Sequence, residues 1–236
     1  SCADKVITYG TDSKADYRLI SSEKIKFDGK LGMKFECEQK DRRSGFRISL
    51  PGDVNASNAL VALAVADIFG IGEEEKAKGL ASVFVKGRGE MLSLDSDFTV
   101  IIDYAHNGVS LKSIIETAKA YDHNRIITLF GSVGGRTECR REELGTVSGK
   151  LSDLSVITSD DPNFEDPRKI CDEIAQYCKA EGGEYVIIPD RAEAIEYAIV
   201  NAQKGDIVIL AGKGHEETMK ICGESLPFIE KDEVLR

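Results

Sequence analysis

Ile207-Val208-Ile209-Leu210-Ala211 is an unbroken apolar run, and Gly212-Lys213-Gly214-His215-Glu216 follows it directly. A short continuous apolar run rich in β-branched residues reads as a strand buried on both faces, and the glycine-flanked polar stretch as the turn that ends it. The same figure occurs three more times upstream. The strand Thr99 to Asp103 runs into Tyr104-Ala105-His106-Asn107, Arg125 to Phe130 into Gly131 to Arg136, and Leu154 to Thr158 into Ser159-Asp160-Asp161-Pro162-Asn163. Helical patterns separate them over Leu111 to Tyr121, Arg140 to Leu151, Pro167 to Ala180 and Ala192 to Ala202, with one more strand at Tyr185 to Ile188. Apolar strands alternating with helices predict an α/β fold, a Rossmann-like and mostly parallel sheet with helices on both faces. In such sheets ligands gather at the carboxyl ends of the strands, so four polar clusters are expected along one rim.

Outward from that sheet, the first third of the chain is strand-rich. Val6 to Tyr9, Tyr17 to Ser21, Glu23 to Phe27, Met33 to Glu38 and Phe46 to Leu50 read as strands, with a hairpin turn at Asp28-Gly29-Lys30. Two helices follow, from about Asn55 to Phe69 and from about Glu73 to Val83, the second with three acids in its first turn, where the helix dipole favours them. The pattern breaks at Lys86-Gly87-Arg88-Gly89, read as a hinge between domains spanning residues 1–88 and 89–236. The tail, Met219 to Phe228, reads as a small hairpin around Gly223.

The 236 residues are 42% hydrophobic and 31% charged, a folded and not a disordered composition. A net charge of −10 repels a phosphate backbone, so a nucleic-acid partner is not expected. No apolar run approaches the roughly 20 residues needed to cross a bilayer. The six cysteines have neither C-x-x-C spacing nor a nearby His, which argues against zinc and disulfides and for a reducing cytoplasm. Cys171 and Cys178, seven apart on a helix, are expected to share a packed face. The start, Ser1-Cys2-Ala3, has neither an initiator Met nor a signal pattern and reads as a cut end.

Each cluster has a functional and a bland reading. Gly131 to Arg136 leaves a strand and enters a helix, so its N–H groups and Arg136 suit a carboxylate or phosphate; the alternative is a glycine turn with a surface Arg. Gly212-Lys213-Gly214 lacks the spacing and the Ser/Thr of a Walker loop. His106 and His215 sit beside an amide or an acid at strand ends, which favours function, whereas His123 reads as solvated. Asn55 and Asn58, three apart, point one way and suit an adenine edge; the alternative is helix capping by Asn55. Asp103 suits the two hydroxyls of a ribose, or is a strand-terminal turn acid.

Taken in order, Asp103 to Asn107, the loop through Arg136, Thr158 to Asn163 with Glu165-Asp166-Pro167, Asp190-Arg191-Ala192 and Ala211 to Glu216 resemble the Mur ligase family, in the branch that adds the third residue of the peptidoglycan stem peptide. Thr8-Tyr9-Gly10, Asn55, Asn58 and Gly87-Arg88 look like the end of that family's central ATPase domain. The resemblance implies an ATP- and magnesium-dependent amide-bond ligase. It would activate the terminal carboxylate of UDP-MurNAc-L-Ala-D-Glu as an acyl phosphate for attack by the amine of a diamino acid. It further implies that Asn55 and Asn58 hold adenine, Asp103 the ribose, and Arg88, Tyr104 and His106 the nucleotide's surroundings. Arg136 would clamp the incoming α-carboxylate, and Asp160, Gly212 and Glu216 would meet ammonium groups.

Diaminopimelate-adding members usually carry an Arg where this chain has Asn163; that neutral residue and the additional acid at Asp161 imply L-lysine, with L-ornithine fitting the same charges. Gly108, Gly89 and Gly135 stand where the family commonly has Pro, a larger residue and Asp. The family's UDP-binding domain, P-loop and modified lysine have no counterpart here, so the catalytic residues lie outside this chain, no metal ligand is assigned within it, and the chain alone is expected to be inactive. The competing readings are another Mur-like ligase, of cyanophycin-synthetase or polyglutamylating type, and a non-catalytic module that binds an amino acid or nucleotide.

Overall fold

The computed structural model describes residues 6–28, 30–39, 42–92, 94–136 and 138–236. The chain divides into two units, Ser1–Phe84 and Val85–Arg236.

In the first unit, β1 (Tyr9–Gly10), β2 (Tyr17–Phe27), β3 (Lys30–Gln39) and β4 (Arg42–Ile48) form one sheet in that order. The pair β1 and β2 is parallel; the rest is antiparallel. Where the sequence predicts two strands, β2 is a single one. Its register against β3 shifts between Leu19 and Ser21, which leaves Ile20 as the bulged residue, and Ser21 and Ser22 pair with Glu36 and Phe35 and do not end the strand. The expected hairpin joins β2 to β3 with Asp28 at φ 49°, while Gly29 of that turn lies outside the described residues. Helices α1 (Asp53–Ile68) and α2 (Glu73–Ala81) pack on the sheet. Met33, Phe35, Phe46 and Ile48 meet Ala56, Leu60 and Leu63 in the core.

The start of α1 corrects one expectation. Gly52 is the N-cap, with no side-chain capping bond, and Asn55 lies a turn further in, its Nδ2 donating to Pro51 O at 2.8 Å. Asn55 is therefore not the capping residue.

In the second unit a six-stranded sheet runs in the order β5 (Glu90–Leu92), β6 (Thr99–Asp103), β10 (Ile207–Ala211), β7 (Ile126–Phe130), β8 (Leu154–Ile157), β9 (Tyr185–Ile187). All pairs are parallel except β5 on β6. The connecting helices are α3 (Gly108–Lys119), α4 (Cys139–Leu151), α5 (Pro167–Ala180) and α6 (Arg191–Val200). Val100, Ile102, Ile127, Leu129, Val208 and Leu210 pack with Ala194, Ile195 and Ala198 of α6 on one face. Alternation turns the intervening residues toward the opposite layer, where α3, α4 and α5 pack side by side. Every residue of β10 is buried, as its unbroken apolar run predicts. Each of its Ile, Val and Leu side chains contributes about 1.5–3 kcal/mol relative to exposure.

Cys171 and Cys178 are both buried on α5, and each described cysteine is a free thiol. The tail hairpin is β11 (Thr218–Ile221) and β12 (Glu224–Pro227), turning through Cys222 and Gly223, both at positive φ. Two elements were not expected, the short edge strand β5 and the five-residue helix α7 (Glu230–Val234). Among the described residues no helix is long and apolar enough to cross a membrane.

Candidate functional site

Because β10 lies between β6 and β7, the segment Gly212 to Glu216 sits between the clusters that follow those strands, and the loop after β8 comes next along the rim. Close approach requires glycine at several positions along this rim, two of which bear directly on the site. Gly212, at φ +115°, leaves room for Asp160, whose Oδ2 would lie 2.8 Å from a Cβ there. Gly87, at φ +64°, sits against the Gly214–His215 backbone, into which any side chain would run.

The first group forms around Tyr104. Arg88 lies over its ring at 4.9 Å, with the rings of His106 at 4.8 Å and His215 at 4.9 Å. His106 Nδ1 lies 2.9 Å from Tyr104 O, and Tyr104 OH donates to Glu216 Oε1 at 3.2 Å. Burial, together with Glu216, pushes the phenol upward. Asp103 Oδ2 accepts the Gly89 N–H at 2.7 Å. Burial moves its carboxyl upward against the opposing pull of the Gly89 and Ala105 N–H groups and of Arg88.

The second group forms around a buried ammonium. Lys213 Nζ lies 2.8 Å from Asp161 Oδ1, 2.7 Å from Glu216 Oε2 and 3.7 Å from Asp160 Oδ1. Burial alone would lower the lysine, but the three acids outweigh it and the net shift is upward. Asp160 moves the other way from an ordinary paired acid: its burial raises it, against Arg191 and Lys213. Three carboxylates against one lysine leave the cluster with negative charge in excess. Their oxygens lie within 4.8 Å of one another, a spacing that would suit a metal ion, but Lys213 already supplies the cation. The cluster therefore does not fit a resident magnesium.

Asp161 Oδ1 accepts from Lys213 Nζ at 2.8 Å and from the Lys220 N–H at 2.9 Å. Asn163 stands at φ 54° with Nδ2 donating to Gly134 O and Asp161 O, each at 3.2 Å. Gly134 N–H in turn bonds Asp161 O at 2.8 Å, which links the loops after β7 and β8. Arg136 is exposed at the end of the β7 loop. That loop is fastened by Glu165, which accepts the Gly135 N–H at 3.0 Å and pairs through both oxygens with buried Arg141, at 3.0 and 2.7 Å. Arg141, then the Gly135 N–H, lower Glu165 to about 2.

Asn55 and Asn58 belong to the first unit, where Asn58 Nδ2 donates to Asn55 Oδ1 at 3.3 Å. Sequence reasoning weighed Lys213 only as a Walker lysine, quoted Glu165 and Arg191 within motifs without giving them a role, and missed Arg141 and Glu230. Arg191 did carry a signal: a basic residue opens α6, where the helix dipole disfavours it, so something other than helix stability holds it there.

Residues 87–214 match the family model "Mur ligase, glutamate ligase domain". The chain belongs to the Mur ligase family. It is 39% identical over 232 residues to the UDP-N-acetylmuramoyl-L-alanyl-D-glutamate–2,6-diaminopimelate ligase of Caldanaerobacter subterraneus, an alignment covering 98% of this chain and 47% of that protein. Against the ligase of the same name from Alkaliphilus metalliredigens it is 45% identical over 182 residues, 77% of this chain and 37% of the relative. Among solved structures, a diaminopimelate ligase superposes with TM-score 0.72 at 28% identity, over 98% of this chain and 47% of the other. A folylpolyglutamate synthase from Thermotoga maritima, TM-score 0.63 and 21% identity over 84% of this chain and 44% of that one, shares the Mur ligase fold alone. The chain spans about half the length of these relatives.

Proposed function

We propose that this chain is the carboxyl-terminal half of an ATP-dependent ligase that joins a diamino acid to UDP-MurNAc-L-Ala-D-Glu in peptidoglycan synthesis. Residues 1–88 are on this reading the end of the central ATP-binding domain, and 89–236 the domain that receives the amino acid. The observation that carries it is the cluster of Asp160, Asp161 and Glu216 around Lys213, an array with negative charge in excess at the rim of a sheet whose sequence matches the Mur ligase model. Such an array attracts an amine.

Asp160, Glu216 and the backbone at Gly212 would take the ammonium of the incoming amino acid, Asp161 with Lys213 supporting them, and Arg136 would take its carboxylate. Asp103, Arg88, Tyr104 and His106 would serve the nucleotide. Two observations fit ATP. The Tyr104 ring carries a guanidinium on its face, and Asp103 Oδ2 is already oriented by the Gly89 N–H. Magnesium, when bound with ATP, would offset phosphate charge. A cytoplasmic location accords with free thiols at every described cysteine.

L-Lysine is the substrate favoured by Asn163, a neutral residue whose amide is spent on Gly134 O and Asp161 O and offers no cation to a second carboxylate. Diaminopimelate is the second reading, favoured by the names of the relatives. The test is phosphate release by the longer protein with ATP, magnesium and UDP-MurNAc-L-Ala-D-Glu, adding L-lysine, L-ornithine or meso-diaminopimelate in turn. Lysine-dependent release is expected. Release with diaminopimelate alone would keep the ligase and overturn the argument from Asn163; no release with any of them would overturn the ligase.

A further inference from the structure

Arg191 and Glu230 form an ion pair whose side chains are 0% and 1% exposed. Arg191 spreads its donors in three directions: Nη1 to Ser159 O at 2.9 Å, Nη2 to Ala211 O at 2.8 Å, and Nε to Glu230 Oε1 at 3.0 Å. Ser159 directly precedes Asp160 and Ala211 directly precedes Gly212, the two positions that approach each other at the rim. Ser159 follows β8 and Ala211 ends β10, and β7 separates these strands in the sheet. No ladder hydrogen bond therefore joins their ends directly. The guanidinium does join them, because its planar fork reaches both carbonyls at once.

Glu230 holds that fork in place from α7, beyond the segment matched by the family model. Its second oxygen, Oε2, is buried without a hydrogen-bond partner. A buried ion pair with an unsatisfied oxygen is a poor source of stability compared with apolar packing of the same volume. Its geometric consequence is the better account of it. The next residue extends the brace: Lys231 Nζ lies 3.8 Å from Glu90 Oε1, and Glu90 Oε2 accepts the Gly87 N–H at 2.9 Å beside Arg88.

We propose that Arg191 and Glu230 are positioning residues that fix Asp160 against Gly212, so that the carboxyl-terminal helix α7 sets the affinity for the amine-bearing substrate. The amine substrate rests on the function proposed above; the clamp itself does not.

In the longer protein, Glu230→Leu is expected to raise KM for the amino acid about tenfold or more, leaving KM for ATP within about twofold. Glu230→Gln, which keeps an oxygen acceptor for Nε, is expected to recover most of that loss. Arg191→Lys keeps the charge but cannot reach both carbonyls, so it reproduces the selective KM effect and serves if Glu230→Leu does not fold. Equal rises in both KM values, or an unchanged amino-acid KM, would overturn the proposal. Hydrogen exchange at the Ser159 and Gly212 amides gives a readout independent of the reaction. Both amides are bonded, to Pro189 O and Asp103 O, and both should exchange faster in Arg191→Lys. If the wild-type protein turns over no amino acid, the proposed function fails while the exchange still judges the clamp: unchanged exchange overturns it and faster exchange supports it.

Discussion

At the scale of single residues, Asn163 and Glu165, two positions apart in the loop after β8, serve different ends. Asn163 donates to Gly134 O and Asp161 O, and on the function proposed above it would face the distal end of the amino acid. Asn163→Arg is expected to weaken use of L-lysine by about tenfold and to improve use of diaminopimelate, through a new pair with its second carboxylate. Unchanged lysine kinetics in that variant would remove the basis for the substrate assignment. Glu165 acts on shape. Its carboxyl is lowered from 4.5 to about 2 by Arg141 and the Gly135 N–H, so its contribution to stability is complete above about pH 4.5 and is lost as pH falls toward 2. The melting-temperature gap between wild type and Glu165→Gln should accordingly be widest near neutrality and close on acidification; a gap independent of pH would contradict this. The rim acids themselves were legible in the sequence because they end apolar strands. Lys213 was not, since a lysine between glycines shows nothing of the three carboxylates that folding gathers around it.

Elements were legible in proportion to their length and burial. β6, α5 and β10 have the expected limits because a doubly buried strand or a strongly amphipathic helix carries a pattern few alternatives fit. The short pieces β5 and α7 were missed, being three and five residues long, too few for a period to show. The single strand β2 was divided in two because polar Ser21 and Ser22 imitate a turn, and only pairing with β3 reveals a bulge. Between elements, a tight constraint lies at Gly87, where a positive φ and the backbone of Gly214–His215 exclude a side chain. Gly87→Ala is expected to destabilise the fold by about 1–3 kcal/mol, measured by urea unfolding. A change within about 0.5 kcal/mol would show that this approach relaxes freely.

For the whole molecule, the sheet of the second unit and its acidic rim are explained by chain order: β10 returns to lie between β6 and β7, which brings Gly212 to Glu216 beside both Asp103 and Asp160. That return is a long-range event, and no local pattern in the sequence announces it. The parallel fold class could still be read, because alternation of strand and helix is local even though strand order is not. The account's central claim is that this rim carries two groups with separate ligands, a nucleotide at Asp103 and an amine at Asp160. The measurement that tests it most directly is a comparison of Asp160→Asn and Asp103→Asn in the longer protein, with KM determined for the amino acid and for ATP in each. The account predicts that Asp160→Asn raises KM for the amino acid about tenfold or more with little change for ATP, and that Asp103→Asn does the reverse. Equal effects on both substrates in either variant, or the opposite assignment, would contradict it.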